Sequence, residues 1–564
     1  MGKTIKKLTF SPVALFFWTL VVLMAPNVGL AITEEMTWLP VLVQIILPLS
    51  FYALVLSLSK STGKMVWWLF LFIFFAAFQI VLLFLFGNSI IGVDMFLNVL
   101  TTNPAEAFEV LGNLLTGIAT VVLFYVPILV VATIQIIKKT YMARGTMLRY
   151  RYYSLAGLSL GLVLLVCAAK FTQGYRVLCD LYPVNVIYNV KLTADRLYAT
   201  AHYSETSAGF TYNAKAGHTD DGVAEVYIIA VGETERADHF QHYGYARHTT
   251  PRLVAEDSCA VWFDDVLSQS NTTHKSVPML LSAASAENYD RIYKEKSVIT
   301  AFKEAGFHTA YLSNQRRNHS FIDTFGEEAD EVEFLKDDTE EHYDKELLSR
   351  TQKLIASGHK KLLLVVHLYG SHFVYRERYQ RDNAVFLPDD ATEARAANKE
   401  SLVNAYDNTI LEEDIVLDSI FRQAVYCGGR VAMLYTSDHG ENIYDDSREL
   451  FLHASPRASY YDLHVPFVIL LSPSYSSLYS DNAQALKDNS CKPVSSNLVV
   501  FHTMLGLAGI STPLYNDSLS LASPTYECSA RFYLNDHNEP VSLLKLKLAK
   551  EDLDMFKKHG ITYK

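Results

Sequence analysis

The segment Val226-Tyr227-Ile228-Ile229-Ala230-Val231-Gly232-Glu233-Thr234 joins six apolar residues to a glycine, a glutamate and a threonine. A short apolar run bounded in this way is typical of a strand buried on both faces of a sheet. Similar runs recur downstream and alternate with helical patterns. This alternation predicts an α/β domain with a largely parallel central sheet. The other predicted central strands are 309–312, 362–367, 431–436 and 467–471, and helical periodicity marks 297–305, 343–357 and 401–423.

Metal-binding side chains follow three of these predicted strands. Glu233 follows the first strand, His372 lies shortly after the third, and Asp438 and His439 follow the fourth. In open α/β sheets, reacting groups collect beyond the carboxyl ends of the strands. Carboxylate oxygens and imidazole nitrogens together suit Zn²⁺, with Mn²⁺ as the alternative. The sequence therefore predicts a metal site at this edge, whereas Asp438 and His439 alone could equally be a turn aspartate and a surface histidine.

A hydroxyl-rich stretch, Ser268-Gln269-Ser270-Asn271-Thr272-Thr273, precedes an apolar helical pattern. One interpretation is helix capping, because Ser, Thr and Asn oxygens accept hydrogen bonds from unpaired backbone N–H groups. The other is chemical: a threonine at a helix N-terminus lies in positive potential, which stabilises an alkoxide and an attached phosphate. The spacing leaves both interpretations open for Thr273.

The first 170 residues contain five uncharged apolar stretches of membrane-spanning length. We predict a transmembrane domain of five helices over residues 1–170, of which the first is an uncleaved span and not a signal peptide. Residues 171–220 are predicted to form a linker along the membrane surface, and residues 221–564 the catalytic domain. The predicted spans are 12–32, 38–58, 65–86, 112–137 and 153–170.

Charged residues between the predicted spans indicate their orientation. Basic residues crowd the loops after the second and fourth spans, whereas Glu34 and Glu35 follow the first span without basic neighbours. Because positive loops face the cytoplasm, an odd number of spans places the C-terminal domain outside. The basic residues are Lys60, Lys64, Lys138, Lys139, Arg144, Arg149 and Arg151.

The net charge of −11 excludes nucleic acid as a partner, because a phosphate-binding surface needs clustered Lys and Arg. The six cysteines show no spacing typical of a zinc knuckle. Cys491 and Cys528 both lie in turn-rich sequence, and we predict that they pair in an oxidising compartment.

The motifs of the C-terminal part resemble those of the phosphoethanolamine transferases of the alkaline phosphatase and sulfatase superfamily, which modify lipopolysaccharide in Gram-negative bacteria. The resemblance covers nearly the whole chain, including the five-span layout followed by an external sulfatase-like domain. The matching segments are 232–239, 243–251, Thr273 with 276–278, 370–372, 406–409, 437–441 and 452–453.

Carried over by position, the resemblance implies that Glu233, Thr273, Asp438 and His439 bind zinc. It also implies that Thr273 is the nucleophile that becomes phosphoethanolaminylated. His372 and His453 match histidines that contact the phosphate and can hold additional zinc. Asn98 and Glu106 resemble residues near the ethanolamine head group. Where well-known lipid A members have cysteines beside the nucleophile, this chain has Asn271 and Met279.

The resemblance implies transfer of phosphoethanolamine from phosphatidylethanolamine to an envelope acceptor, with lipid A or lipopolysaccharide expected first. It further implies a multi-pass protein of the Gram-negative inner membrane with its catalytic domain in the periplasm, and we expect a monomer. A phosphoglycerol transferase like the lipoteichoic acid synthases is the alternative enzyme. The Gly232-Glu233-Thr234 motif favours the phosphoethanolamine transferases.

Overall fold

The structure of this chain is a computed structural model. The structure describes residues 11–34, 36–86, 90–101, 115–219, 221–256, 258–318, 320–337, 343–528 and 530–563. Two compact units form the chain. One contains Met1–Leu97 and Ala107–Ala194, and the other contains Asn98–Glu106 and Asp195–Lys564.

The first unit is built from apolar helices. Within the described residues, four helices are long and apolar enough to cross a membrane, and the count rises to five if one bent pair is a single span. The prediction of five spans is therefore confirmed only in part. The helices are α1 (Pro12–Thr33), α2 (Trp38–Leu56), α3 (Thr62–Trp68), α4 (Phe70–Phe86), α5 (Val93–Thr101), α6 (Leu115–Ile137) and α7 (Arg144–Phe171).

The bent pair is α3 with α4, where one helix over 65–86 was predicted. The two axes differ by 61°, and Leu69 between them has a backbone conformation outside the α region. Gly63 lets α3 approach α6 closely, since a Cβ there would lie 2.4 Å from the Ala132 carbonyl oxygen. The Trp67 indole also donates to Thr133 on α6. Packing against α6 thus holds α3 in a direction that α4 does not continue.

The predicted linker 171–220 is largely helical in the structure. It contains α8 (Val177–Asp180), α9 (Val184–Ala201) and α10 (Tyr203–Thr206), followed by the two-residue strand β1 (Lys215–Ala216). The path of this segment along a membrane stays a prediction.

A sheet of seven strands forms the centre of the second unit, and all five predicted central strands belong to it. The strands of this unit after β1 are β2 (Glu225–Gly232), β3 (Ala260–Trp262), β4 (Val266–Leu267), β5 (His308–Ser313), β6 (Glu331–Phe334), β7 (Lys361–His367), β8 (Arg430–Ser437), β9 (Asn442–Ile443), β10 (Phe451–Leu452), β11 (Phe467–Leu471), β12 (Val494–Ser495), β13 (Ile510–Ser511), β14 (Phe532–Leu534) and β15 (Pro540–Ser542). The strand order of the central sheet is β3-β11-β8-β2-β7-β5-β6.

The central sheet is mixed, so the prediction of a largely parallel sheet is confirmed in part: four of its six strand pairings are parallel. Strands β8, β2, β7, β5 and β6 pair in parallel. Strand β11 runs antiparallel to both β8 and β3. An apolar run such as 467–471 looks the same in either direction, because hydropathy alone does not record strand polarity.

Side chains alternate along β2 between two apolar cores. Tyr227 and Ile229 enter the core on one face of the sheet, and Val226 and Ile228 enter the core on the other. Alternation with a period of two residues, apolar on both sides, is the pattern of a strand that is covered on both faces. The α-helices of this unit after α10 are α11 (Pro251–Ala255), α12 (Thr273–Leu280), α13 (Val298–Glu304), α14 (Phe321–Gly326), α15 (Leu347–Ile355), α16 (Lys399–Tyr426), α17 (Tyr460–Leu463), α18 (Pro473–Leu478), α19 (Ser480–Asn489), α20 (Ser496–Leu507) and α21 (Lys550–Lys558).

The predicted Cys491–Cys528 disulfide is wrong. All six cysteines lie in the described part of the chain, and none of them forms a disulfide there. The Cys491 thiol lies 3.6 Å from the Asp264 carboxylate. Burial raises the pKa of the Cys528 thiol, and the charges that act on this thiol are those of Arg531 and Asp265. The two sulfur atoms therefore have different neighbours.

Candidate metal and phosphate site

The carboxyl ends of β2 and β8 place two carboxylates beside each other. Gly232, the last residue of β2, pairs with Ser437, the last residue of β8. Glu233 and Asp438 are the next residues on these strands, and His439 follows. All three side chains are buried. The strand register thus brings together three of the predicted metal ligands.

Thr273 is the first residue of α12 and follows the helix cap at Thr272. Its hydroxyl donates to Glu233 Oε1 over 3.1 Å and lies 3.1 Å from His439 Nε2. A hydroxyl at the start of a helix experiences the positive end of the helix dipole. Thr272 occupies the N-cap position, but its side chain makes no cap hydrogen bond. The structure therefore favours the chemical interpretation of Thr273, whose hydroxyl contacts Glu233 and His439.

The buried carboxylates of Glu233 and Asp438 need a positive charge nearby if both are to be ionised. Asp438 Oδ2 lies 3.2 Å from His439 Nε2 and has no hydrogen-bond partner in the described structure. Burial raises the pKa of Asp438 to about 7. Burial, together with the Asp438 carboxylate, raises that of Glu233 to about 8. Such pKa values show that the negative charges lack compensation, which a divalent ion would supply.

Two imidazoles of the site are oriented by backbone carbonyls. His439 Nδ1 lies 2.9 Å from the Gly440 oxygen, and His372 Nδ1 lies 2.8 Å from the Phe373 oxygen. A carbonyl only accepts, so Nδ1 must carry the proton and Nε2 is left with a free electron pair. Burial lowers the pKa of His439 to about 4 and that of His372 well below its usual range. Both rings are therefore neutral, as a metal or phosphate ligand requires.

His453, directly after β10, is oriented by a carboxylate. Its Nδ1 lies 2.9 Å from Glu441 Oε1, and the Tyr375 hydroxyl donates to the other Glu441 oxygen. Burial lowers the pKa of His453 to about 4. A carboxylate behind an imidazole fixes the ring orientation and increases its basicity as a ligand. Glu441 was quoted within a sequence motif, but its contact with His453 required the folded chain.

The six predicted site residues of the second unit lie together. Ligand atoms of Glu233, His439 and His453 are all within 4.8 Å of one another. The rings of His372 and His453 are 6.4 Å apart between centroids, so His372 lies at the periphery of this group. Glu, Asp and His are known zinc ligands.

Sequence reasoning missed Gln315 and Thr234, which hold the ligands in place. The Gln315 amide donates to Glu233 Oε2 over 3.1 Å. The Thr234 hydroxyl donates to Glu233 Oε1 and its backbone N–H to Asp438 Oδ1. Gln315 follows β5 by two residues, so the strand-end rule that identified Glu233 could have found it.

Two predicted residues remain outside this description. Asn98 lies in α5, and its side chain is outside the described residues, as is all of Glu106. Their predicted role near an ethanolamine head group stays a prediction.

The fold and site define a class: an α/β protein with an apolar helical N-terminal unit and a threonine–carboxylate–imidazole site at the carboxyl edge of its sheet. The chain belongs to the sulfatase family, whose model matches residues 225–510.

Relatives with experimental or curated names extend this comparison. The chain is 28% identical over 298 residues to the putative transferase YhbX of Escherichia coli, covering 52% of this chain and 51% of the relative. It is 29% identical over 298 residues to the phosphoethanolamine transferase EptA of Escherichia coli, covering 51% and 54%. The matched part is thus about half the length of these curated relatives.

Solved structures agree with the fold. The integral membrane lipooligosaccharide phosphoethanolamine transferase A of Neisseria meningitidis superposes with a TM-score of 0.73 at 20% identity, covering 91% of this chain and 98% of that one. The soluble domain of that enzyme superposes with a TM-score of 0.51 at 26% identity, covering 55% and 95%. The likeness to the membrane protein therefore includes both units.

Proposed function

We propose that this protein transfers phosphoethanolamine from phosphatidylethanolamine to a lipid A or lipopolysaccharide acceptor, through a covalent intermediate on Thr273. The observation that carries the proposal is the contact of the Thr273 hydroxyl with Glu233 and His439 at the start of α12. A sulfatase-family domain, relatives named phosphoethanolamine transferases and an apolar helical unit support it.

Zn²⁺ is the metal we assign to this site, held by Glu233, Thr273, Asp438 and His439. The uncompensated Asp438 Oδ2 and the free Nε2 atoms of the neutral imidazoles fit such an ion. When bound, zinc supplies positive charge that lowers the pKa of a coordinated hydroxyl. The Gln315 amide donates to Glu233 Oε2, so that the other carboxylate oxygen, Oε1, stays directed toward Thr273.

In the first step, Thr273 Oγ1 forms a bond to phosphorus while the bond from phosphorus to the diacylglycerol oxygen breaks. The threonine proton ends on that departing oxygen. In the second step, an acceptor oxygen attacks the same phosphorus, the bond to Thr273 Oγ1 breaks, and the acceptor's proton returns to Thr273 Oγ1. His372 and His453, with unprotonated Nε2 atoms, relay the protons and contact the phosphoryl oxygens.

Both substrates are amphiphiles, and this accounts for a catalytic domain that is carried by membrane-spanning helices. We assign the chain to the inner membrane of a Gram-negative bacterium, with the sulfatase-like domain in the periplasm. One relative, 27% identical over 346 residues, is named Kdo(2)-lipid A phosphoethanolamine 7''-transferase. This name favours lipid A over other envelope glycans as the acceptor.

The test is to incubate purified wild type and Thr273→Ala with phosphatidylethanolamine and to analyse intact and digested protein by mass spectrometry. We expect a phosphoethanolamine adduct on Thr273 in wild type and none in the variant. Turnover by wild type without an adduct on Thr273, in quenched single-turnover samples, would refute the covalent mechanism.

The phosphoglycerol transferase alternative is distinguished by the donor label. We expect label from the ethanolamine of phosphatidylethanolamine to reach lipid A, and no label from the glycerol of phosphatidylglycerol. Mass spectrometry of lipid A from cells with and without the gene identifies the acceptor. Unchanged lipid A together with a Thr273 adduct would support the proposed reaction with the donor and would show that the acceptor is a molecule other than lipid A.

A further inference from the structure

A second group of metal-ligating side chains lies where the parallel strands of the central sheet begin, opposite the strand ends that carry the Thr273 site. His308 and Glu331 are the first residues of β5 and β6, and His359 lies two residues before the start of β7. Strand β5 pairs in parallel with both β6 and β7. The starts of the three strands therefore meet at the edge away from the Thr273 site.

The three side chains offer donor atoms close to one another. One ligand atom from each residue lies within 4.8 Å of the others. His308 Nε2 is 2.8 Å from Glu331 Oε1, and the rings of His308 and His359 stack with centroids 3.8 Å apart. The His308 and Glu331 side chains are 24% and 54% exposed, so solvent and ions can reach them.

Two imidazoles and one carboxylate form a donor set that proteins use for zinc, in three-ligand sites whose fourth position holds water. Zinc–ligand bonds of about 2.0–2.2 Å in a tetrahedral site bring neighbouring donors to about 3.3–3.5 Å. The His308–Glu331 pair is already closer than this. One stacked ring must turn so that its electron pair converges with the other, and the exposure of these side chains allows that rotation.

A second carboxylate lies near the other ring nitrogen of His308. Asp330 Oδ2 is 3.9 Å from His308 Nδ1, accepts from the Thr309 hydroxyl, and its other oxygen pairs with Lys303. This separation is longer than a hydrogen bond, so Asp330 adds negative charge near the site without fixing the ring.

We propose that His308, Glu331 and His359 form a second transition-metal site that takes Zn²⁺. This site is separate from the Thr273 site and does not depend on the proposed function. Its ligands belong to β5, to the edge strand β6 and to the segment before β7. A bound ion would therefore cross-link the edge strand to the interior of the sheet, and binding to the folded state would stabilise it.

The test measures zinc stoichiometry of the full-length protein in detergent, by equilibrium dialysis and elemental analysis. We expect His359→Gln and His308→Gln each to bind one zinc equivalent fewer than wild type. Phosphoethanolamine transfer should be unchanged. The matched control is His202→Gln, because His202 also stacks on an aromatic ring, that of Tyr198, and hydrogen-bonds to a backbone oxygen.

Cobalt provides a second readout that does not depend on activity. With Co²⁺ in place of Zn²⁺, we expect wild type and His202→Gln to show one more tetrahedral absorption component than His359→Gln. Glu331→Gln, at a more exposed position, tests the third ligand if a histidine variant folds poorly. Equal zinc stoichiometry and equal cobalt spectra in wild type and the folded variants would overturn the proposal.

Discussion

At the scale of single residues, the site depends on side chains that hold other side chains. Asn271, two residues before Thr273, is buried. Its amide donates to the Ser455 carbonyl, and its oxygen accepts from the Tyr533 hydroxyl. The backbone oxygen of Asn271 also accepts from the Ala454 N–H. Asn271 therefore joins the segment that presents Thr273 to the segment that presents His453.

The His453 segment needs such support, because its backbone is strained. Leu452 and Ala454, on either side of His453, both have positive φ angles, of 65° and 60°. Non-glycine residues in this region cost about 1–3 kcal/mol each and persist only where neighbouring structure holds them.

We therefore predict that Asn271→Ala lowers the rate of transfer by more than its loss of stability alone would explain. A buried hydrogen-bonding group left without its partner costs about 1–3 kcal/mol. If part of that cost appears as misplacement of Thr273 and His453, kcat falls by about tenfold or more. Steady-state kinetics and thermal unfolding measure the two effects.

The control is Asn489→Ala. Asn489 is equally buried, and its amide donates to the Leu521 and Ser523 carbonyls, away from the site residues. We expect a similar loss of stability with kcat unchanged. Equal kcat values in the two folded variants would show that Asn271 is structural only.

At the scale of elements, the bend between α3 and α4 depends on a close crossing. A Cβ at Gly63 would meet the backbone oxygen of Ala132 at 2.4 Å, and a backbone atom cannot move aside as a flexible side chain can. Small residues at such crossings let helices in a membrane approach each other.

We predict that Gly63→Ala destabilises the helical unit by about 1–3 kcal/mol, the usual cost of overpacking. Gly145→Ala is the matched control, since Gly145 lies in α7 with nothing within 4 Å of an added Cβ. The control should be neutral or stabilised by up to about 1 kcal/mol through helix propensity. Thermal unfolding in detergent compares them, and equal midpoints would contradict the close crossing.

At the scale of the whole molecule, the buried carboxylates of the site link folding to metal and to pH. In the metal-free protein, burial raises the pKa of Asp438 to about 7 and that of Glu233 to about 8. In the unfolded chain both titrate near their ordinary values of about 4. Between these values the folded state binds more protons than the unfolded state, so the free energy of unfolding falls as pH rises.

We predict that chelated protein is less stable at pH 8 than at pH 5.5, and that zinc restores more stability at pH 8. Free zinc at about 1,000 times its Kd contributes about 4 kcal/mol. Thermal unfolding of chelated and reloaded protein at both pH values measures this. The Glu233→Gln/Asp438→Asn double variant should lose the part of the difference that these two carboxylates contribute. Glu235, Glu441 and Asp462 should keep the rest, because burial raises the pKa of each to about 8. A metal-free protein that gains stability with rising pH would contradict the assignment.

The sequence by itself determined the local chemistry of this protein. The run 226–231 predicts a buried strand because a doubly covered strand must be apolar throughout, and Glu233, Asp438 and His439 follow strand ends that a parallel arrangement brings to one edge. The roles of Thr273, His372 and His453 came from a resemblance to a family.

Tertiary structure decided what depends on contacts between distant segments. The antiparallel direction of β11, the bend at Leu69 and the absence of a Cys491–Cys528 disulfide have no local sequence signal, because packing partners decide each of them. The contacts of Gln315 with Glu233 and of Asn271 with the His453 segment likewise join residues far apart in the chain. Hydropathy and motifs record what a segment can do, and only the folded register decides which side chains meet.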